Sequence, residues 1–99
     1  MTIQCKTNQL SQNIWVLNEK CESFASDYHF YVFVVLGGLL ERPHYHVVPS
    51  ATVAKKVREG HRNWLNTPGF RGRAHVDNPV RNFEDRANEY LERWDLLGL

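Results

Sequence analysis

What this chain lacks excludes several classes of protein at once. Cysteine occurs only at Cys5 and Cys21. Two residues without CxxC spacing give neither a disulfide framework nor a zinc ribbon, and they fit reduced thiols in a reducing compartment. The longest apolar run, Phe30 to Leu36, is far too short to span a bilayer, and no basic-then-apolar leader opens the sequence. The expectation is a cytoplasmic protein that does not enter a membrane. There is no GxSxG elbow, and Gly37-Gly38 follows an apolar run without opening a helix, so no phosphate-cradling loop is present either. Internal repeats and low-complexity tracts are absent as well.

What is present reads as an ordinary globular domain. Ninety-nine residues, 42% apolar and 23% charged, allow one domain over 1–99 with a modest core, and they exclude a disordered or fibrous chain. Thr2 to Asn8 alternates as a strand, and Ile14 to Leu17 follows "NQLSQN" as a second, with a hairpin the economical pairing. Glu19 to Ser26 has a short helical look. "YHFYVFVVL", Tyr28 to Leu36, runs β-branched and aromatic without polar alternation, as a strand inside a sheet does. "HYHVV", His44 to Val48, returns beside it as an antiparallel neighbour.

Ser50 is placed to cap a helix from Ala51 to about Asn66, whose Val53, Val57, His61 and Trp64 form one stripe. The stretch "PGFRGRAHVDNPVRNF" shows no period and predicts a long loop. "EDRANEYLERWDLLGL" predicts a last helix, with Ala87, Tyr90, Leu91, Trp94 and Leu97 on one face. The predicted fold is therefore α/β in the α+β sense, with a three- or four-stranded mixed or antiparallel sheet, one long helix over about 51–66 and a C-terminal helix.

A net charge of +1 conceals a segregation. Residues 42–81 carry eight of the twelve lysines and arginines and only two of the eleven acids. Lys55, Lys56, Arg62, Arg71, Arg73 and Arg81 could converge if the loop folds over the helix, and they form the candidate surface for nucleic acid. A solvated helix face followed by a loop would show the same counts.

Chemistry-bearing residues are few. His44 and His46 share a strand face and, with His61, His75, Cys5 and Cys21, contain the side chains a zinc site uses, but none has the spacing of one. His61 reads most simply as a packed histidine with one hydrogen-bond partner. "HVD", His75 to Asp77, could be an acid–base pair, although an Asx residue here usually folds back on its own backbone. "IQCKT" places Gln4 and Lys6 on one strand face and Ile3 and Cys5 on the other.

The order of "IQCKT", "WVL", "FYVFVVL", "VVPS", "WLNTPG" and "RWDLLG" resembles the C-terminal two-thirds of small proteins of the PD-(D/E)XK, restriction-endonuclease-like, nuclease superfamily, over essentially all of the chain. The resemblance implies a partial restriction-endonuclease-like core in which Gln4 and Lys6 match the [DEQ]xK strand. In such a core an upstream acid and the [DEQ] residue hold Mg²⁺, and the lysine orients or activates water.

Here only Met1 and Thr2 precede Ile3 in the sequence, so the expectation is a site without that acid, and an amide oxygen does not replace a carboxylate toward a hard cation. The expected function is a catalytically incomplete nuclease-like domain with vestigial Gln4 and Lys6, no cofactor and weak nucleic-acid binding. The alternatives are an interaction or oligomeric structural module, and a Mg²⁺-dependent nuclease completed by another chain. An uncovered strand edge and apolar sheet face further predict a homodimer.

Overall fold

Strand alternation and one apolar helical stripe account for most of the architecture. The computed structural model describes residues 1–8, 13–37, 41–69, 72 and 75–98. Its elements are β1 (Thr2–Asn8), β2 (Ile14–Asn18), a 3₁₀ turn (Glu19–Ser23), β3 (His29–Val35), β4 (His44–Pro49), α1 (Ser50–Asn66), β5 (Val80–Glu84) and a second 3₁₀ turn (Trp94–Leu97). The fold is α+β. A mixed three-stranded sheet has the order β1-β3-β4, with β1 parallel and β4 antiparallel to β3, and β2 pairs with β5 in a separate antiparallel ribbon. Among the described residues no helix is long and apolar enough to cross a membrane.

The continuous apolar run of β3 needs cover on both faces. Tyr31, Phe33 and Val35 point into the larger core, where they meet Val48 of β4, Val53 and Val57 of α1, and Trp15, Leu17 and Phe83 of the ribbon. Phe33 lies at its centre, with ring centroids 4.5 Å from Phe83 and 5.0 Å from Trp15. The Trp15 indole donates to Val34 O at 3.1 Å, so its one polar atom is paired inside. Val32, Val34 and Val47 form a smaller core on the other face, closed by Leu97 with Trp94 and Leu96. Each such side chain buried contributes about 1.5–3 kcal/mol.

Six expectations are corrected. The apolar sheet face expected to lie uncovered is closed on both sides by the two cores just described, which leaves only the strand edge as a ground for a homodimer. The first two strands do not form a hairpin: β1 lies against β3, while Trp15 and Leu17 carry β2 away to cover the core face and pair with β5. The short helix shrinks to the 3₁₀ turn at Glu19–Ser23, consistent with a segment too short for cooperative helix formation. Ser50 is not the cap. Pro49 precedes the first turn, and the Ser50 hydroxyl instead donates to Ser26 O and accepts from Ser26 N–H, both at 2.9 Å, tying α1 to the approach to β3.

Part of the supposed long loop is β5, whose Arg81 and Phe83 alternate inward. Two alternating residues among Gly, Pro and Asn were too short a signal. The expected C-terminal helix is absent from the described residues beyond Trp94–Leu97. Asn88 and Glu92 adopt left-handed backbone (φ 57° and 54°), and the segment bonds β4 instead: Val47 N–H donates to Tyr90 O at 3.0 Å and Glu92 N–H to Tyr45 O at 2.8 Å. Pairing with a strand edge has outcompeted helical propensity.

Candidate functional site

Gln4 and Lys6 sit opposite Tyr31 and Phe33 in the parallel register, so both face the α1 side of the sheet, as the alternation requires. Together with Tyr31, His29 and residues of β2 and the first 3₁₀ turn, they line a depression of about 330 Å³. Its charged groups are the Lys6 and Lys20 ammonium groups, and its amides are Gln4 and Asn18. Burial raises the pKa of both the Cys21 thiol and the Tyr31 phenol. Glu22 also raises that of Cys21, against the opposing pull of Arg81 and Lys6. Thiol and phenol are thus neutral near pH 7, and the depression is positive.

His29 closes one side. Its Nδ1 lies 2.6 Å from Thr2 Oγ1, its ring meets Phe24 and Tyr31 edge-on, and its Nε2 is sealed from solvent without a hydrogen-bond partner among the described residues. This donor set suits an anion. It does not fit Mg²⁺, which takes oxygen ligands including carboxylates, whereas two ammonium groups here would repel a dication.

Among the described residues, the structure separates four of the six basic candidates. Lys55 and Arg62 are exposed on α1, and Arg58 between them completes a stripe at spacings of three and four residues. The Arg58 guanidinium donates to Glu22 O at 3.3 Å, which holds the stripe beside the 3₁₀ turn that supplies Lys20 to the depression. Lys56 lies at the surface, half-buried, 3.5 Å from the exposed Glu89 and 5.2 Å over the Tyr90 ring, so its charge is partly engaged by its neighbours. Arg81 is 6% exposed and bonded to Glu22 and Asn78 O, with Glu19 3.8 Å away, so its charge serves the interior. Arg71 and Arg73 lie outside the described residues.

The histidines are dispersed. His61 is packed with one partner, Asp77, at 2.8 Å, and the Asp77 carboxylate also accepts from the adjacent Asn78 N–H at 2.8 Å, so Asp77 pairs with His61 and not with His75 of "HVD". That bond from His61 is the main cause of an Asp77 carboxyl held below its ordinary pKa. His46 pairs with Asp85 inside the core, beyond the reach of any substrate. His44 is exposed at the start of β4, and the described residues contain no group of three or more His, Cys, Asp or Glu placed to hold a metal.

Two features escaped the sequence. Trp64 stacks between His61 (5.4 Å) and His75 (4.2 Å), beside a groove of about 610 Å³ between α1 and β5 that also presents Glu59 and Glu84. Only the fold brings residue 75 back to residue 64. The other is the alliance of Lys20 with Lys6, whose carriers are fourteen residues apart in the chain and on different elements. No family model, curated protein or solved structure matches this chain.

Proposed function

We propose that this chain is a catalytically incomplete nuclease-like domain of the cytoplasm that binds nucleic acid weakly. The observation that carries the reading is the positive depression: Gln4 and Lys6 share one face with Lys20 and His29, where ammonium and amide groups can meet phosphate oxygens. The exposed stripe Lys55, Arg58 and Arg62 extends the same charge along α1. Phosphate contacts of this kind position a polymer without reading its bases, so affinity is on the order of micromolar or weaker and falls steeply with salt.

Fluorescence anisotropy with an arbitrary duplex, titrated at several salt concentrations, tests the reading. We expect salt-sensitive binding that weakens in the Lys6→Ala, Lys20→Ala double variant, and no cleavage with Mg²⁺ or Mn²⁺. Binding that ignores salt and both lysines would leave an interaction module as the function. Cleavage abolished by Lys6→Ala would instead support a nuclease, completed by carboxylates of another chain.

The second reading, a module that assembles with itself, is favoured by a specific observation. Residues 1–5 and 7 of the N-terminal strand region are exposed, Ile3 at 49%. A homodimer through this strand is compatible with nucleic-acid binding.

A further inference from the structure

The two outer edges of the three-stranded sheet are treated differently. The outer edge of β4 is bonded by Tyr90 and Glu92, as described above, whereas β1 is a seven-residue terminal strand whose side chains are exposed on both faces except near Lys6 and Asn8. Thr2 N–H donates to Tyr28 O at 2.7 Å and Asn8 O accepts from Leu36 N–H at 2.9 Å. The even-numbered residues of β1 therefore aim their backbone groups at β3. Ile3, Cys5 and Thr7 aim theirs out of the sheet, since these groups alternate along a strand. Such an edge is a template for another strand.

We infer that this edge of β1, which pairs with no strand among the described residues, takes β1 of a second copy, antiparallel about a two-fold axis at Cys5. Cys5 is the midpoint of Thr2–Asn8, so this register overlaps the whole strand and hydrogen-bonds all three outward residues, Ile3 with Thr7 and Cys5 with Cys5. It also sets Gln4 opposite Lys6 of the second copy, twice. Each ammonium then meets an amide oxygen in the close, non-hydrogen-bonded pairs of the ladder. Sliding the register by two residues one way stacks Lys6 on Lys6, and sliding it the other way sets Thr7 against Met1, outside the strand. Length and charge select the same alignment.

The result is a six-stranded sheet, β4-β3-β1-β1-β3-β4. Both α1 faces lie on one side of it, because directly opposed residues of an antiparallel pair point the same way, and the two Gln4–Lys6 depressions become neighbours. The pairing stands on the strand edge and does not rest on the nucleic-acid reading. It is tested without nucleic acid present.

Sedimentation equilibrium of the full chain at micromolar concentration should show a dimer. Gln4→Glu, which sets a carboxylate opposite each Lys6, should tighten it, and Gln4→Lys should loosen it, each by about two- to thirtyfold over the two symmetric pairs. Thr7→Pro, which removes an outward N–H but none that faces β3, should give a monomer whose circular dichroism is unchanged. A short bismaleimide should link the exposed Cys5 thiols of two copies in the wild type and not in Cys5→Ser, since Cys21 is buried. A monomeric wild type, or a dimer indifferent to Gln4→Glu and Gln4→Lys, would overturn the inference.

Discussion

His46 Nδ1 lies 2.7 Å from Asp85 Oδ2 with both side chains sealed from solvent, and this contact joins the middle of β4 to the residue that follows β5. The same carboxylate accepts the backbone N–H groups of Glu89 (2.9 Å) and Tyr90 (3.0 Å), so one side chain fixes the start of the segment that borders β4. Asp85→Ala removes the acceptor of the buried His46 ring and of the Glu89 and Tyr90 backbone N–H groups. We expect a loss on the order of 3–5 kcal/mol in urea denaturation. Hydrogen exchange should show the segment from Glu89 to Leu97 opening first.

Neighbouring strands offer a sharper contrast in stability. Phe33 is fully buried between Trp15 and Phe83, and Phe33→Ala should cost about 3–5 kcal/mol. Val16, on the outer face of β2, is 67% exposed, and Val16→Ala should stay within about 0.5 kcal/mol. Denaturant midpoints of the two variants measure the difference.

Asp77 provides a pH dependence with a definite sign. Its folded-state pKa lies below the unfolded value, chiefly because His61 bonds the carboxylate, with Asn78 N–H adding to the effect. Its contribution to stability is present above the unfolded carboxyl pKa and is lost as pH falls through the depressed folded one. A carbon-detected NMR titration of His61→Ala should show the Asp77 pKa moving up toward the ordinary aspartate value.

Among the basic residues, binding and stability should separate. Lys55→Ala with Arg62→Ala removes exposed cations, so the magnitude of the salt slope of nucleic-acid binding should fall by about 0.7–0.9 for each phosphate no longer neutralised. Stability should be nearly unchanged. Arg81→Ala, by contrast, strands Glu22 in a half-buried position, and it should lower the denaturation midpoint while leaving that slope as it is.

The two thiols should react at different rates. Cys5 is exposed, whereas Cys21 is buried and its pKa is raised by desolvation, which lowers its thiolate fraction. Maleimide labelling followed by mass spectrometry should show one fast addition, at Cys5, and one slow.

Sequence patterning carried far where one element could satisfy itself or its nearest neighbour. The uninterrupted Tyr28–Leu36 run predicted a strand buried on both faces, and the Val53 and Val57 stripe predicted a long helix from Ala51 to about Asn66, which the structure starts one residue earlier, at Ser50. The alternation of Gln4 and Lys6 put both on one face whatever partner β1 chose. Of the site, however, only that pair was legible. Lys20 and His29 enter through the fold, and two cations that sequence counted with the rest meet acids only in three dimensions, Arg81 inside the protein and Lys56 at its surface.

By itself, then, the sequence determined the elements whose period is strong and local: β1, β3, β4 and α1, with their inward and outward faces. The tertiary structure decided which strand pairs with which. It set β1 parallel to β3, sent β2 across to β5, and turned an amphipathic tail into a border for β4. The physical reason is that backbone N–H and C=O groups must find partners, and for Val80–Glu84 and Tyr90–Glu92 the partners lie far along the chain, at Ile14–Asn18 and Tyr45–Val47, where no local pattern records them.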